Sequence, residues 1–136
     1  MNIDLLKKQL ERHEGLRLKP YKCTAGKLTI GYGRNLDDVG ISEEEAYSML
    51  LNDIDRIIGE AKEIFPKFDE LTENRQAVIC NMLFNLGKTR FLTFKKTIWN
   101  IKHRMYHIAA QEMLNSKWAR QVGKRATELA QLMREG

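Results

Sequence analysis

What this 136-residue chain lacks removes several classes of function before anything present is considered. No stretch approaches the ~18 consecutive apolar residues that a membrane-spanning helix needs, so stable membrane insertion is not expected. The opening Met1-Asn2-Ile3-Asp4-Leu5-Leu6-Lys7-Lys8 places an acid before the lysines and has no long apolar run. That is unlike a cleavable secretory signal and is expected of a chain made in a cytoplasm. Cysteine is sparse: Cys23 and Cys80 are too few for a disulfide framework, and neither sits in a CxxC pair. Both are expected to be free thiols in a reducing compartment. Metal ligands are equally thin. His103 and His107 stand four apart and could share a helix face, but the HExxH glutamate and a third ligand are missing, so no metal or other cofactor is expected. Repeats, low-complexity tracts and flexible linkers are absent too. The length suits one domain, or one with a small lobe attached, and can bury a core without staples.

Charge, by contrast, is abundant and uneven. Lys and Arg number 23 against 18 Asp and Glu, a net +5. Residues 1–36 hold eight cations and three anions, residues 37–73 three and twelve, residues 88–136 eleven and three. Basic ends around an acidic middle suit an anionic polymer as partner, and both nucleic acid and the bacterial wall qualify. No recognition-helix or aromatic-platform pattern supports nucleic acid, which is therefore not expected as a partner.

The apolar pattern reads as mainly helical with one small β element. Ile3, Leu5, Leu6 and Leu10 suit a short amphipathic helix with Asn2 as cap and Gly15 as stop. Leu16, Leu18 and Tyr21 against Arg17, Lys19 and Lys22, then a Thr24-Ala25-Gly26 turn and Lys27 to Gly33, predict a β-hairpin whose glycines permit a bend or close backbone approach. Ser42-Glu43-Glu44-Glu45 is a capping box, and a helical stripe from Ala46 to Ile64 stops at Pro66. Thr72 opens a further helix closed by Gly87, and its centre, Ala77 to Phe84, is apolar nearly all round and predicts a buried core helix. Shorter helices are expected near 94–102, 106–115 and 124–134, with Trp99 and Trp118 as packing residues. The expected fold class is α+β. A hairpin lobe (about 13–41) is joined by a connecting helix (42–65) to a helical lobe (1–12 and 66–136), with a ligand cleft between the lobes.

Chemistry gathers at the start of the hairpin. Glu14 ends the first helix, Cys23 follows after eight intervening residues, and Thr29 after five more. A hairpin can fold Cys23 and Thr29 together. The surrounding words, His13-Glu14-Gly15-Leu16-Arg17-Leu18-Lys19-Pro20-Tyr21-Lys22-Cys23 and Gly26-Lys27-Leu28-Thr29-Ile30-Gly31-Tyr32-Gly33, closely resemble the active-site segment of phage-type lysozymes, glycoside hydrolase family 24. Asn81 to Gly87 resembles that family's core helix, and Ser116-Lys117-Trp118 with Lys124-Arg125-Ala126 its C-terminal segment, so the resemblance spans nearly the whole chain.

The resemblance implies hydrolysis of the β-1,4 bonds between N-acetylmuramic acid and N-acetylglucosamine in bacterial peptidoglycan. Glu14 would be the general acid, a role that needs a carboxyl still protonated at working pH. Thr29 would position the attacking water. Cys23 stands where most of the family has Asp. Lys22, Lys27 and Arg34 around it favour a thiolate, which could balance charge, orient water or attack directly. The resemblance further implies glycan contacts from Asn85 and from Arg125, an arginine near the glutamate; Arg34, where relatives often carry His, is a third expected substrate-binding residue. The stretch from Arg34 to Ser42 is short for the family. The implied protein is a monomeric phage endolysin that accumulates in the host cytoplasm and depends on a separate holin for release. A wall-binding protein without turnover is the alternative that Cys23 leaves open.

Overall fold

The computed structural model describes residues 1–136, which divide into two compact units, Met1–Met49 and Leu50–Gly136. In the first unit, helix α1 (Ile3–Glu14) is opened by the Asn2 side chain, which accepts the Leu5 N–H at 3.0 Å. It stops at Gly15, whose N–H reaches back to the Glu11 carbonyl at 3.1 Å. Strands β1 (Arg17–Lys22), β2 (Leu28–Gly31) and β3 (Arg34–Asn35) form an antiparallel sheet in the order β1-β2-β3. The alternation anticipates the first two strands only. The third exists because the chain turns back at Tyr32-Gly33 and pairs Thr29 with Asn35 and Ile30 with Arg34. Leu36 extends that ladder by donating to the Leu28 carbonyl at 2.7 Å. Pro20 lies on β1, an outer strand, where the pairing register with β2 shifts between Arg17 and Tyr21. An edge strand with an irregular register is where a residue without an N–H costs least.

The helix α2 (Glu43–Ile64) starts on the capping box: the Glu45 N–H donates to Ser42 Oγ at 3.1 Å, and the Ser42 N–H to Glu45 Oε1 at 2.9 Å. It ends two residues before Pro66. None of the helices is long and apolar enough to cross a membrane.

The second unit holds the hydrophobic core. Its centre is α3 (Glu73–Leu86), followed by α4 (Lys88–Phe91), α5 (Lys95–Lys102), α6 (Tyr106–Leu114), α7 (Lys117–Val122) and α8 (Lys124–Glu135). Val78, Ile79, Met82 and Leu83 of α3 share one core with Ala109, Ala110 and Met113 of α6 and with Ala130 and Met133 of α8. Burying side chains of this size stabilises by about 1.5–3 kcal/mol each for the larger ones.

Two packing expectations need correction. Helix α3 is not buried all round: positions 78, 79, 82 and 83 form the core stripe, whereas Phe84 is half-exposed on the opposite stripe with Ala77 and Cys80. Trp118 is buried, edge-on to Phe94 with ring centres 6.2 Å apart, but Trp99 is not a core residue. The buried stripe of α5 runs through Thr97, Asn100 and Ile101, and Trp99 falls off it.

Arg75 closes the unit. Its Nε and one terminal nitrogen donate to the carbonyls of Met133 and Arg134 at 2.8 and 3.0 Å, capping the end of α8. Its guanidinium also lies 3.6 Å from the ring centre of Tyr106. Between α5 and α6 the chain turns through Arg104 at φ +60°. There the Arg104 N–H donates to the Ile101 carbonyl at 3.1 Å and the Met105 N–H to the Asn100 carbonyl at 2.8 Å. This is a Schellman ending with arginine in the position that usually takes glycine.

Candidate active site

In the first unit, α1 delivers Glu14 as its last residue, because Gly15 at φ +72° turns the chain out of the helix directly after it. The carboxyl lies against the backbone of Gly33. A Cβ on residue 33 would stand 2.6 Å from Glu14 Oε2 and 2.9 Å from Cδ, closer than real Cβ contacts come. Gly33 is therefore a notch that seats the carboxyl, and its φ of +75° is itself a conformation that side chains disfavour. The glycine-rich Gly31-Tyr32-Gly33 was legible as a site of bending or close approach, but not which side chain approaches.

Thr29 and Cys23 are brought together at the far end of the β1–β2 pair. Thr29, opposite Tyr21 on β2, is only 3% exposed and is the sole buried residue among the first 49. Its hydroxyl donates to the Lys27 carbonyl at 2.9 Å. Cys23 follows β1 immediately, with its N–H on the Lys27 carbonyl (2.9 Å) and its carbonyl accepting from Gly26 (2.8 Å). This tight turn aims backbone donors at the sulfur. The Lys27 N–H and then the Ala25 N–H hold the thiol below its ordinary range, against the opposing effect of burial. The free cysteine of α3, Cys80, is pushed the other way by burial alone.

Arg34 on β3 makes a two-pronged pair with Glu45 of α2, at 2.9 and 2.7 Å, and donates to the Gly40 carbonyl at 3.0 Å. The Arg34 hydrogen bonds, then those of Ser42, lower the Glu45 carboxyl to about 2. One carboxylate thus completes the capping box and ties β3 to the start of α2. Arg34 also lines, with Gly33 and Tyr32, a shallow hollow of about 910 Å³. The acidic run after Ser42 signalled a helix start; that its third glutamate would also hold Arg34 depended on the path of the intervening loop.

Asn85 and Arg125 belong to the second unit. Asn85 Oδ1 accepts the indole N–H of Trp118 at 2.6 Å, so its amide orientation is fixed by a core residue of α7. Arg125 near the start of α8 donates through Nε and a terminal nitrogen to Asn81 Oδ1 at 2.9 and 2.7 Å. Asn81, one turn before Asn85 on α3, is a supporting residue that the sequence did not single out.

The family described as phage lysozyme matches residues 11–134. An endolysin of Acyrthosiphon pisum secondary endosymbiont phage 1 is 40% identical over 88 residues, 62% of this chain and 58% of its own length. The probable T4-type lysozymes 2 and 1 of Dictyostelium discoideum are each 26% identical over 98% of this chain and 96% of their own. The first of these alignments runs over 164 positions, more than the 136 residues available, so that relative carries insertions. With nearly its whole length matched, the chain belongs to the phage lysozyme family and is a glycoside hydrolase of the muramidase class.

Proposed function

We propose that the chain is an endolysin that hydrolyses the β-1,4 bond between N-acetylmuramic acid and N-acetylglucosamine in peptidoglycan, with Glu14 as general acid. The observation that carries this reading is the seat of the Glu14 carboxyl on Gly33, in the same small unit that pairs Cys23 with Thr29. The Glu14 carboxyl gives its proton to the glycosidic oxygen as the bond to the anomeric carbon breaks. Positive charge then develops on the sugar ring, and water adds to it. Thr29, its hydroxyl anchored on Lys27, holds that water, and the Cys23 thiolate supplies the negative charge that most of the family draws from Asp.

The remaining groups bind the glycan. Asn85, with its oxygen taken by Trp118, presents its NH₂ to an acetamido carbonyl. Arg125, steered by Asn81, keeps one terminal nitrogen for a wall carboxylate, and Arg34 borders the hollow beside Gly33. The protein acts as a monomer. It is made in the host cytoplasm and reaches the wall after a separate holin has opened the membrane.

Glu14→Gln tests the reading, because it keeps the shape and removes the proton. Release of new reducing ends from purified peptidoglycan should fall at least ~10³-fold with the melting temperature unchanged. Activity within tenfold of the parent overturns the assignment. The lowered thiol also favours a second reading, in which Cys23 attacks the anomeric carbon. That reading requires a glycosyl–enzyme adduct visible by mass spectrometry and a product of retained configuration.

A further inference from the structure

Trp99 is 54% exposed on α5, off the buried stripe of its helix. One face of its indole is covered by His103, the rings stacked 3.7 Å apart and 15° from parallel. His103 is pinned in turn, because its Nδ1–H donates to the Trp99 carbonyl at 2.8 Å. The indole is thus held flat rather than free to turn. It borders a hollow of about 490 Å³ with Leu92 and Ile98 as apolar wall and Lys88, Lys95, Lys102 and Glu63 as polar groups. Lys88 is occupied by Glu63 at 3.1 Å, whereas Lys95 and Lys102 have no carboxylate partner.

A fixed, exposed aromatic plate beside two unpaired cations matches one ligand chemistry. The C–H face of a pyranose carries partial positive charge and lies favourably on the negative face of an indole. Ammonium groups in reach of the same hollow take an anionic substituent on that sugar, and the Glu63 carboxylate accepts from its hydroxyls. A polyphosphate fits less well: Glu63 repels it, and nucleic-acid platforms use several aromatics for successive bases where this hollow has one. We propose that Trp99, Lys95 and Lys102 form a second, non-hydrolytic binding site for a carboxylate-bearing amino-sugar glycan, which holds the enzyme on the wall polymer. The choice of the wall as the polymer rests on the proposed function. The site itself lies in the second unit, whereas Glu14 lies in the first.

The test uses the full chain carrying Glu14→Gln, so that the polymer is not consumed. Co-sedimentation with purified sacculi should weaken at least fivefold on Trp99→Ala and on the double change Lys95→Ala with Lys102→Ala, and Trp99→Phe should restore most of the binding. With an intact Glu14, Trp99→Ala should slow lysis of dilute sacculi while leaving cleavage of a short soluble muropeptide within twofold. Trp118 is only 2% exposed, so collisional quenching by iodide reads Trp99, and added muropeptide should shield Trp99 from iodide, a protection that should disappear in Trp99→Ala. Unchanged sedimentation in both variants overturns the site, as does tighter Trp99-dependent binding of single-stranded DNA than of sacculi. Failure of the intact enzyme to release reducing ends from sacculi instead overturns the proposed function, and so separates the two.

Discussion

The Glu14 carboxyl occupies the space that a side chain on Gly33 would fill, its Oε2 2.6 Å from where that Cβ would stand. The end of a helix and the turn after a strand are thereby locked in register. Gly33→Ala should move the carboxyl, the free end of a flexible side chain, more readily than it moves the backbone. A displacement of about 1 Å at a reacting group costs on the order of 10²-fold in rate, and the left-handed φ adds about 1 kcal/mol of destabilisation. Turnover on sacculi and a thermal melt, measured side by side, check this. Full activity in a folded Gly33→Ala variant sinks the positioning role.

The two cysteines should titrate in opposite directions. Backbone donors hold Cys23 below the ordinary thiol range and burial holds Cys80 above it. Alkylation followed by mass spectrometry from pH 6 to 10 should show Cys23 reacting first, its rate levelling off at lower pH than that of Cys80. If the position supplies negative charge, Cys23→Asp keeps substantial lysis, Cys23→Ser keeps less, and undiminished lysis in Cys23→Ala refutes any catalytic part.

Acid should loosen the β3–α2 clamp. The folded-state value of Glu45, about 2, lies below its ordinary 4.5, so the stabilisation is fully present above about 4.5 and is lost as pH falls toward 2. Arg34→Met and Glu45→Gln should each flatten the acid limb of the stability curve in that window and leave the pH dependence near neutrality unchanged, because Glu45 is ionised there whether folded or unfolded. An unchanged acid limb in both variants counts against the clamp. The pair is partly exposed, so added salt should shrink the effect.

Arg104 holds a left-handed conformation that costs an L-residue about 1 kcal/mol or more. Arg104→Gly should therefore raise stability by about 1 kcal/mol, or about 4 °C in melting temperature for a chain of this size. A fall in melting temperature would show that contacts of the arginine side chain outweigh the backbone strain.

Much of this protein was written in short-range chemistry. Capping at Asn2, Ser42 and Thr72, the stop at Gly15 and the break before Pro66 depend on a few neighbouring residues, and each is where the local rules put it. So was the membership of Glu14, Cys23 and Thr29 in one segment, since a tight turn and two strands bring Cys23 and Thr29 together. What only the tertiary structure decided is which partner each long side chain meets. Periodicity marks Trp99 and Trp118 alike as bulky and apolar, but only the packing of α5 and α7 sends one to solvent and the other to the core. Arg34 lies eleven residues from Glu45, and Arg125 lies 44 from Asn81. Pairs so far apart are set by how the elements pack, because no local rule reaches across the intervening loops. The notch at Gly33 is of the same kind: a glycine in a sequence announces freedom, and only the fold says that Glu14 is what uses it.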